Sequence, residues 1–151
     1  MEGSTAEAGR GMQALAAARS LTIGTALLAR VMNRTVARWG LTWPQAASLI
    51  LLDAQPEPVN ASWLVGQLGL GRTAMTAAVD RLERRGWVVR RPHPRDRRIA
   101  LLELTADGRR VGAEARAAVQ AVAQRLVAEA QVPAGFRELT ERLFTRHDAV
   151  P

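Results

Sequence analysis

The sequence predicts a single, mainly α-helical domain with a small β-wing, in which long helices flank two short helices and a hairpin. Three observations predict it. Two short helical patterns, at 61–68 and 72–85, are separated by a tight turn at Gly69-Leu70-Gly71. Two runs rich in Val, Ile and Leu, at 87–90 and 99–104, follow directly around an Arg-rich loop. Long helical patterns lie before and after this unit.

Taking the elements in order, residues 1–10 are expected to be disordered, and helical spacing runs from Gly11 to Trp39. One stripe is Leu21, Thr25, Leu28, Met32 and Thr35; Ile23, Leu27 and Val31 form a neighbouring one. A helix apolar over so much of its girth must be covered on two sides, and a helix from a second copy is the economical cover. Gly24 costs it about 1 kcal/mol relative to alanine, or marks a close helix approach. Gly40 closes this helix. Thr42 caps the next, Gln45 completes a capping box, and Pro44 sits where amide donors lack partners anyway, so a helix is expected to about Asp53.

The segment 54–59, with Pro56 and Pro58, breaks the chain before Asn60 caps the short helix 61–68. In 72–85, Met75, Ala78, Val79 and Leu82 form one inward stripe, while Arg72, Thr73, Thr76, Ala77 and Asp80 lie on the opposite face. Gly86 ends that helix. The two strands then enclose Arg91-Pro-His-Pro-Arg-Asp-Arg97, a hairpin with a positive tip. Thr105 caps the last long helix, whose stripe is Val111, Ala115, Ala118, Val122 and Leu126, up to Pro133. A final amphipathic helix carries Phe136, Leu139, Leu143 and Phe144.

At 151 residues the chain can bury a core without metal or disulfide staples. Its formal charge is +7, its pI about 11.6, and all 21 basic residues are Arg. Between Arg72 and Arg98 nine Arg face only Asp80, Glu83 and Asp96, so nearly all the net charge lies in that stretch. Such density fits phosphate contact, where Arg displaces condensed counterions, with an anionic membrane surface as the competing partner. The absence of Cys excludes disulfide frameworks, thiol nucleophiles and cysteine-based peroxide sensing. No run approaches the length of a membrane span and MEGSTAEAGR lacks a signal-peptide pattern, so a cytoplasmic protein without membrane attachment is expected. Catalysis is not expected: His93 and His147 are the sole histidines, both in charged surroundings, and Asp148 beside His147 is no metal-ligand spacing. No cofactor, metal or Gly-rich phosphate loop is expected.

Two short helices joined by a Gly turn, the second presenting small polar and basic residues outward, let a helix lie in a major groove. The N-terminal part of that second helix reads base edges. Here it supplies Arg72, Thr73, Thr76 and Ala77, with Arg72 the candidate for guanine and Ala77 for a thymine methyl. Arg81, Arg84 and Arg85 are placed to meet phosphates, or to pair with Asp80. At the hairpin tip Arg95, Arg97 and Arg98 gather near the place of a minor groove, and Asp96 is read as the residue that aims Arg98.

The run GWVVRRPHPRDRRIALLELTADG, with LTWPQ upstream and AVDRLERRG immediately before it, resembles the MarR family of bacterial regulators. The Asp-Arg-Arg tip followed by a strand and Leu-Thr-x-x-Gly is the specific part. The resemblance implies a winged helix-turn-helix at about 42–105, with dimerisation helices at about 11–39 and 106–147. It further implies a homodimer on pseudopalindromic double-stranded DNA, the basic helix in the major groove and the wing in the minor groove. By the same likeness Arg98 is the minor-groove residue, Asp96 its orienter, and Asp80 and Arg81 fall on the family's Asp-Arg-Leu. Gly71 stands in place of a Ser-like cap, Ala74 and Ala77 in place of polar or Arg residues, and Trp63 in place of an acidic one. With fewer side-chain hydrogen bonds, base readout is expected to lean on thymine methyls and DNA shape.

The family also implies a small aromatic or acidic effector between winged domain and dimer helices. Arg38, Trp39 and Trp43, at the junction of the first two helices, are the candidate lining; plain packing of the two indoles is the competing reading. The function expected is a sequence-specific transcriptional regulator, a repressor by preference. The alternative is a winged-helix interaction or ligand-binding module without specific DNA readout, which Ala74 and Ala77 motivate.

Overall fold

A computed structural model describes residues 2–130. The chain runs α1 (Glu2–Val36), a 3-10 turn (Ala37–Trp39), α2 (Trp43–Ala54), β1 (Val59–Asn60), α3 (Ala61–Leu68), α4 (Arg72–Arg84), β2 (Val88–Pro92), β3 (Ala100–Leu104) and α5 (Ala106–Ala130). The expected final helix with Phe136, Leu139, Leu143 and Phe144 lies outside the described residues, as do His147 and Asp148.

α1 begins at Glu2, not at Gly11 after a disordered start. Ala and Glu, strong helix formers, recur in 2–10 with no proline to break the run. The end of α1 packs inward through Met32 and Val36; Ile23, Leu27, Leu28 and Val31 remain exposed, and so does Thr25. Gly40, at φ 65°, turns the chain into α2. There Gln45 Oε1 accepts from the Thr42 amide at 3.0 Å, as a capping box requires, and Asn33 Oδ1 of α1 takes the Trp43 amide at 2.7 Å. Asn60 caps α3 by accepting from the Trp63 amide at 2.9 Å.

One core gathers Val36, Leu49, Leu64, Met75, Val79, Leu82, Val88, Leu102, Val111 and Ala115 from every long element. Buried Ser48 donates to the Pro44 carbonyl at 2.8 Å, so its burial leaves no hydroxyl unsatisfied. The sheet has three antiparallel strands in the order β1-β3-β2, one more than the sequence suggests. β1, only two residues long, pairs Val59 with Leu102 and Asn60 with Leu101. It anchors the start of the helix-turn-helix to the wing.

The wing is joined to α5 through Thr105. Its amide donates to the Trp87 carbonyl at 3.1 Å, its hydroxyl donates to the Gly86 carbonyl at 2.7 Å, and the hydroxyl oxygen accepts from the Gly108 amide at 3.1 Å as the cap of α5. Gly108 is needed at this crossing, because a Cβ there would lie 1.9 Å from the Trp87 carbonyl oxygen.

Candidate nucleic-acid interface

The outward face of α4 follows from the burial of the other. Met75, Ala78, Val79 and Leu82 occupy the core, so Arg72, Thr73, Thr76, Ala77 and Arg81 are left exposed. Gly71 precedes the helix with an extended backbone and no side chain to cap its first turn. The leading amides therefore point outward with the positive end of the helix. Thr76 donates its hydroxyl to the Arg72 carbonyl at 2.9 Å, leaving its oxygen lone pairs to face outward as acceptors. Among the described residues, Arg72, Arg81 and Arg84 have no carboxylate partner.

Asp80 does not pair with an arginine of its own helix. Its partner is Arg90 of the wing, whose Nη2 lies 2.6 Å from Asp80 Oδ1 while Nη1 donates to Glu83. The register of β2 and β3 explains the reach: Arg90 stands opposite Leu102 and Val88 opposite Leu104, both on the face turned to the core, so Arg90 is delivered toward α4. These groups are a third or more exposed, and each pair contributes about 1 kcal/mol at most. Their effect is to hold wing and helix as one unit.

At the wing tip Asp96 grips Arg98 twice, taking Nε on Oδ1 at 3.1 Å and Nη2 on Oδ2 at 3.2 Å, and it also accepts the Arg98 amide at 3.0 Å. The paired geometry expected from the sequence is present. These bonds hold the Asp96 carboxyl below its ordinary pKa, the side-chain bond first and the amide second. A depressed carboxylate stays ionised at every pH above the ordinary carboxylate range, and the grip is lost only as pH falls below it. The Arg98 side chain is 90% exposed, so its head is presented rather than buried. Arg95 and Arg97 are exposed beside it, and the His93 ring accepts the Arg95 amide at 3.1 Å.

One expectation is revised. Arg85 does not project toward a phosphate: its guanidinium donates to the Trp39 carbonyl. Of the candidate effector residues, Arg38 stacks on the Trp39 ring at 3.9 Å, the Trp39 indole donates to Glu114 at 2.9 Å, and half-buried Trp43 packs on the core, contacts that agree with the competing packing reading. A hollow of about 470 Å³ lies along α1 against Leu27, Arg30, Val31, Arg34 and Thr35. Among the described residues no three His, Asp or Glu side chains gather as metal ligands, and no helix is long and apolar enough to cross a membrane.

The architecture has close counterparts. A model of the MarR family matches residues 39–99. The transcriptional repressor MprA of Escherichia coli (strain K12) is 36% identical over 77 residues, which cover 50% of this chain but only 44% of that protein's length. Among solved structures, CouR from Rhodococcus jostii RHA1 bound to p-coumaroyl-CoA is 28% identical, with TM-score 0.75 over 87% of this chain and 91% of that one. The transcriptional repressor CouR bound to a 23-mer DNA duplex is 32% identical, with TM-score 0.70 over 83% of this chain and 88% of that one. With the family model centred on the helix-turn-helix and wing, and a relative 32% identical across 88% of its length, this chain belongs to the MarR family.

Proposed function

We propose that the protein is a homodimeric, sequence-specific DNA-binding repressor of transcription, acting on a pseudopalindromic operator. The observation that carries this reading is the pairing of an exposed, cap-free recognition face (Arg72, Thr73, Thr76, Ala77, Arg81) with a wing tip on which Asp96 aims Arg98 outward. A helix in the major groove and an arginine at the adjacent minor groove would use both. A neighbour bound to a DNA duplex supports it by likeness.

Dimerisation is supported by the exposed Ile23, Leu27, Leu28 and Val31 on α1, an apolar strip that water would not stabilise. Light scattering is expected to give about twice the 16.4 kDa chain mass, and a folded monomer would overturn the architecture. Relief by a small aromatic or acidic effector is part of the same proposal. The p-coumaroyl-CoA bound to CouR supports it.

The test is binding to DNA upstream of the protein's own gene, at about 150 mM salt with nonspecific competitor. A competitor-resistant complex with one protected palindrome supports specific regulation. Equal affinity for this fragment and random DNA would favour an interaction module, the reading that Ala74 and Ala77 suggest. In the same assay Arg72→Ala is expected to cost about 1 to 3 kcal/mol and relax discrimination at one base position. A uniform loss on all sequences would make Arg72 a phosphate contact.

A further inference from the structure

The last turn of α4 is tied to the elbow between α1 and α2 by a single side chain. Arg85 donates through Nη1 to the Trp39 carbonyl at 2.6 Å, and its guanidinium lies 4.9 Å from the centre of the Trp87 ring. It fills space that only glycine leaves open, because a Cβ on Gly40 would stand 2.7 Å from Arg85 Nη2. Trp39 is also held from the opposite side. Its indole N–H donates to Glu114 Oε2 of α5 at 2.9 Å, and Arg110 donates to the other oxygen of that carboxylate at 3.1 Å.

One residue of the elbow therefore takes a tie from the end of the recognition helix and another from the long C-terminal helix. Neither tie lies in the core, and neither alone is strong enough to decide whether the chain folds. They add to the restraints of the shared core and of the Thr105 and Gly108 crossing at the point where α1 turns into α2, and a small angular change at this elbow displaces the recognition helix by a lever arm.

We infer that Arg85 and Trp39 are positioning residues that set the angle of the reading head against α1 and α5, and through it the separation of the two recognition helices in the dimer. The inference rests on the dimeric reading proposed above. It gives Arg85 a task within the chain, whereas Arg84, one residue earlier in the same basic run, has no partner among the described residues.

The chain contains no Cys, so Gln67→Cys on the exposed side of α3 accepts one spin label per protomer, and pulsed dipolar spectroscopy reads the distance between heads. The parent is expected to give one narrow distribution, in the range set by recognition helices about 34 Å apart. Arg85→Met and Trp39→Phe are each expected to broaden it about twofold, while Arg85→Lys, which still donates to the carbonyl, recovers most of the narrowness. Arg84→Met removes the same charge and is expected to leave the distribution as in the parent. Trp39→Phe keeps the ring in place, so it carries the test if Arg85→Met does not fold. Unchanged widths in the folded Arg85 and Trp39 variants would overturn the inference. Absence of dipolar coupling in the parent would overturn the dimer beneath it, a different result from an unchanged width.

Discussion

Gly108→Ala is expected to be the most damaging single change in the described part of the chain, destabilising it by about 3 kcal/mol or more. The added methyl would fall 1.9 Å from the Trp87 carbonyl oxygen and 2.8 Å from its carbon. Both are backbone atoms at the root of β2, so no rotamer change relieves the clash. The start of α5 would have to withdraw from the wing, loosening the Thr105 amide bond to Trp87 and the hydroxyl bond to Gly86. Thermal melts at matched protein concentration should show the midpoint fall by about 10 °C, taking roughly 3 °C per kcal/mol for a chain of this size. A variant that melts with the parent would mean that the crossing is looser than the geometry requires.

The second large effect is expected on binding rather than on stability. Arg98→Ala should weaken binding to the upstream fragment by about 10- to 100-fold and lower the salt slope by about one. It should leave the melting midpoint unchanged, because the side chain is 90% exposed and touches no core residue. Asp96→Ala separates two explanations by sign. If Asp96 were only a negative charge near phosphates, removing it would tighten binding to every DNA. If it aims Arg98, specific binding falls while nonspecific binding holds or rises. The second outcome is expected, given the two hydrogen bonds from the Arg98 guanidinium and the one from its backbone amide that completes the tip. Tighter binding to the operator would refute the orienting role.

Much of this was legible because periodicity and turn chemistry act locally. The stripe of Met75, Ala78, Val79 and Leu82, the caps at Asn60 and Thr105, and the reach of Asp96 to Arg98 all lie within a few residues of chain. What escaped depends on contacts distant in sequence. β1 is two residues after Pro58, the second of them the helix cap Asn60, too short for alternation to register; it exists because β3 offers an edge. The grip of Arg90 was readable in principle, since Val88 and Arg90 share a strand face and Asp80 and Glu83 share a helix face, but nothing local says that the two faces meet. Arg85 reads as a phosphate contact because a run of arginines after a recognition helix looks uniform in sequence. Its carbonyl partner is 46 residues upstream. Gly108 stands in the Leu-Thr-x-x-Gly motif, but its steric reason appears only once α5 crosses Trp87. The apolar excess of α1 was legible for the opposite reason: the chain leaves that face uncovered, so sequence and structure carry the same information.

The shared core of α4 and the wing, with the hold of Arg90 on both Asp80 and Glu83, makes the proposed reading head a calliper of nearly fixed opening. One jaw is the outward face of α4, the other the wing tip, and the ion pairs sit at the pivot. A duplex would be gauged as well as read. Where the two grooves already lie at the set opening, both jaws close without work; elsewhere the DNA must deform, at a cost that depends on bases neither jaw touches. Slackening the pivot, not altering either jaw, would then be the way to make such a protein tolerant of many sites.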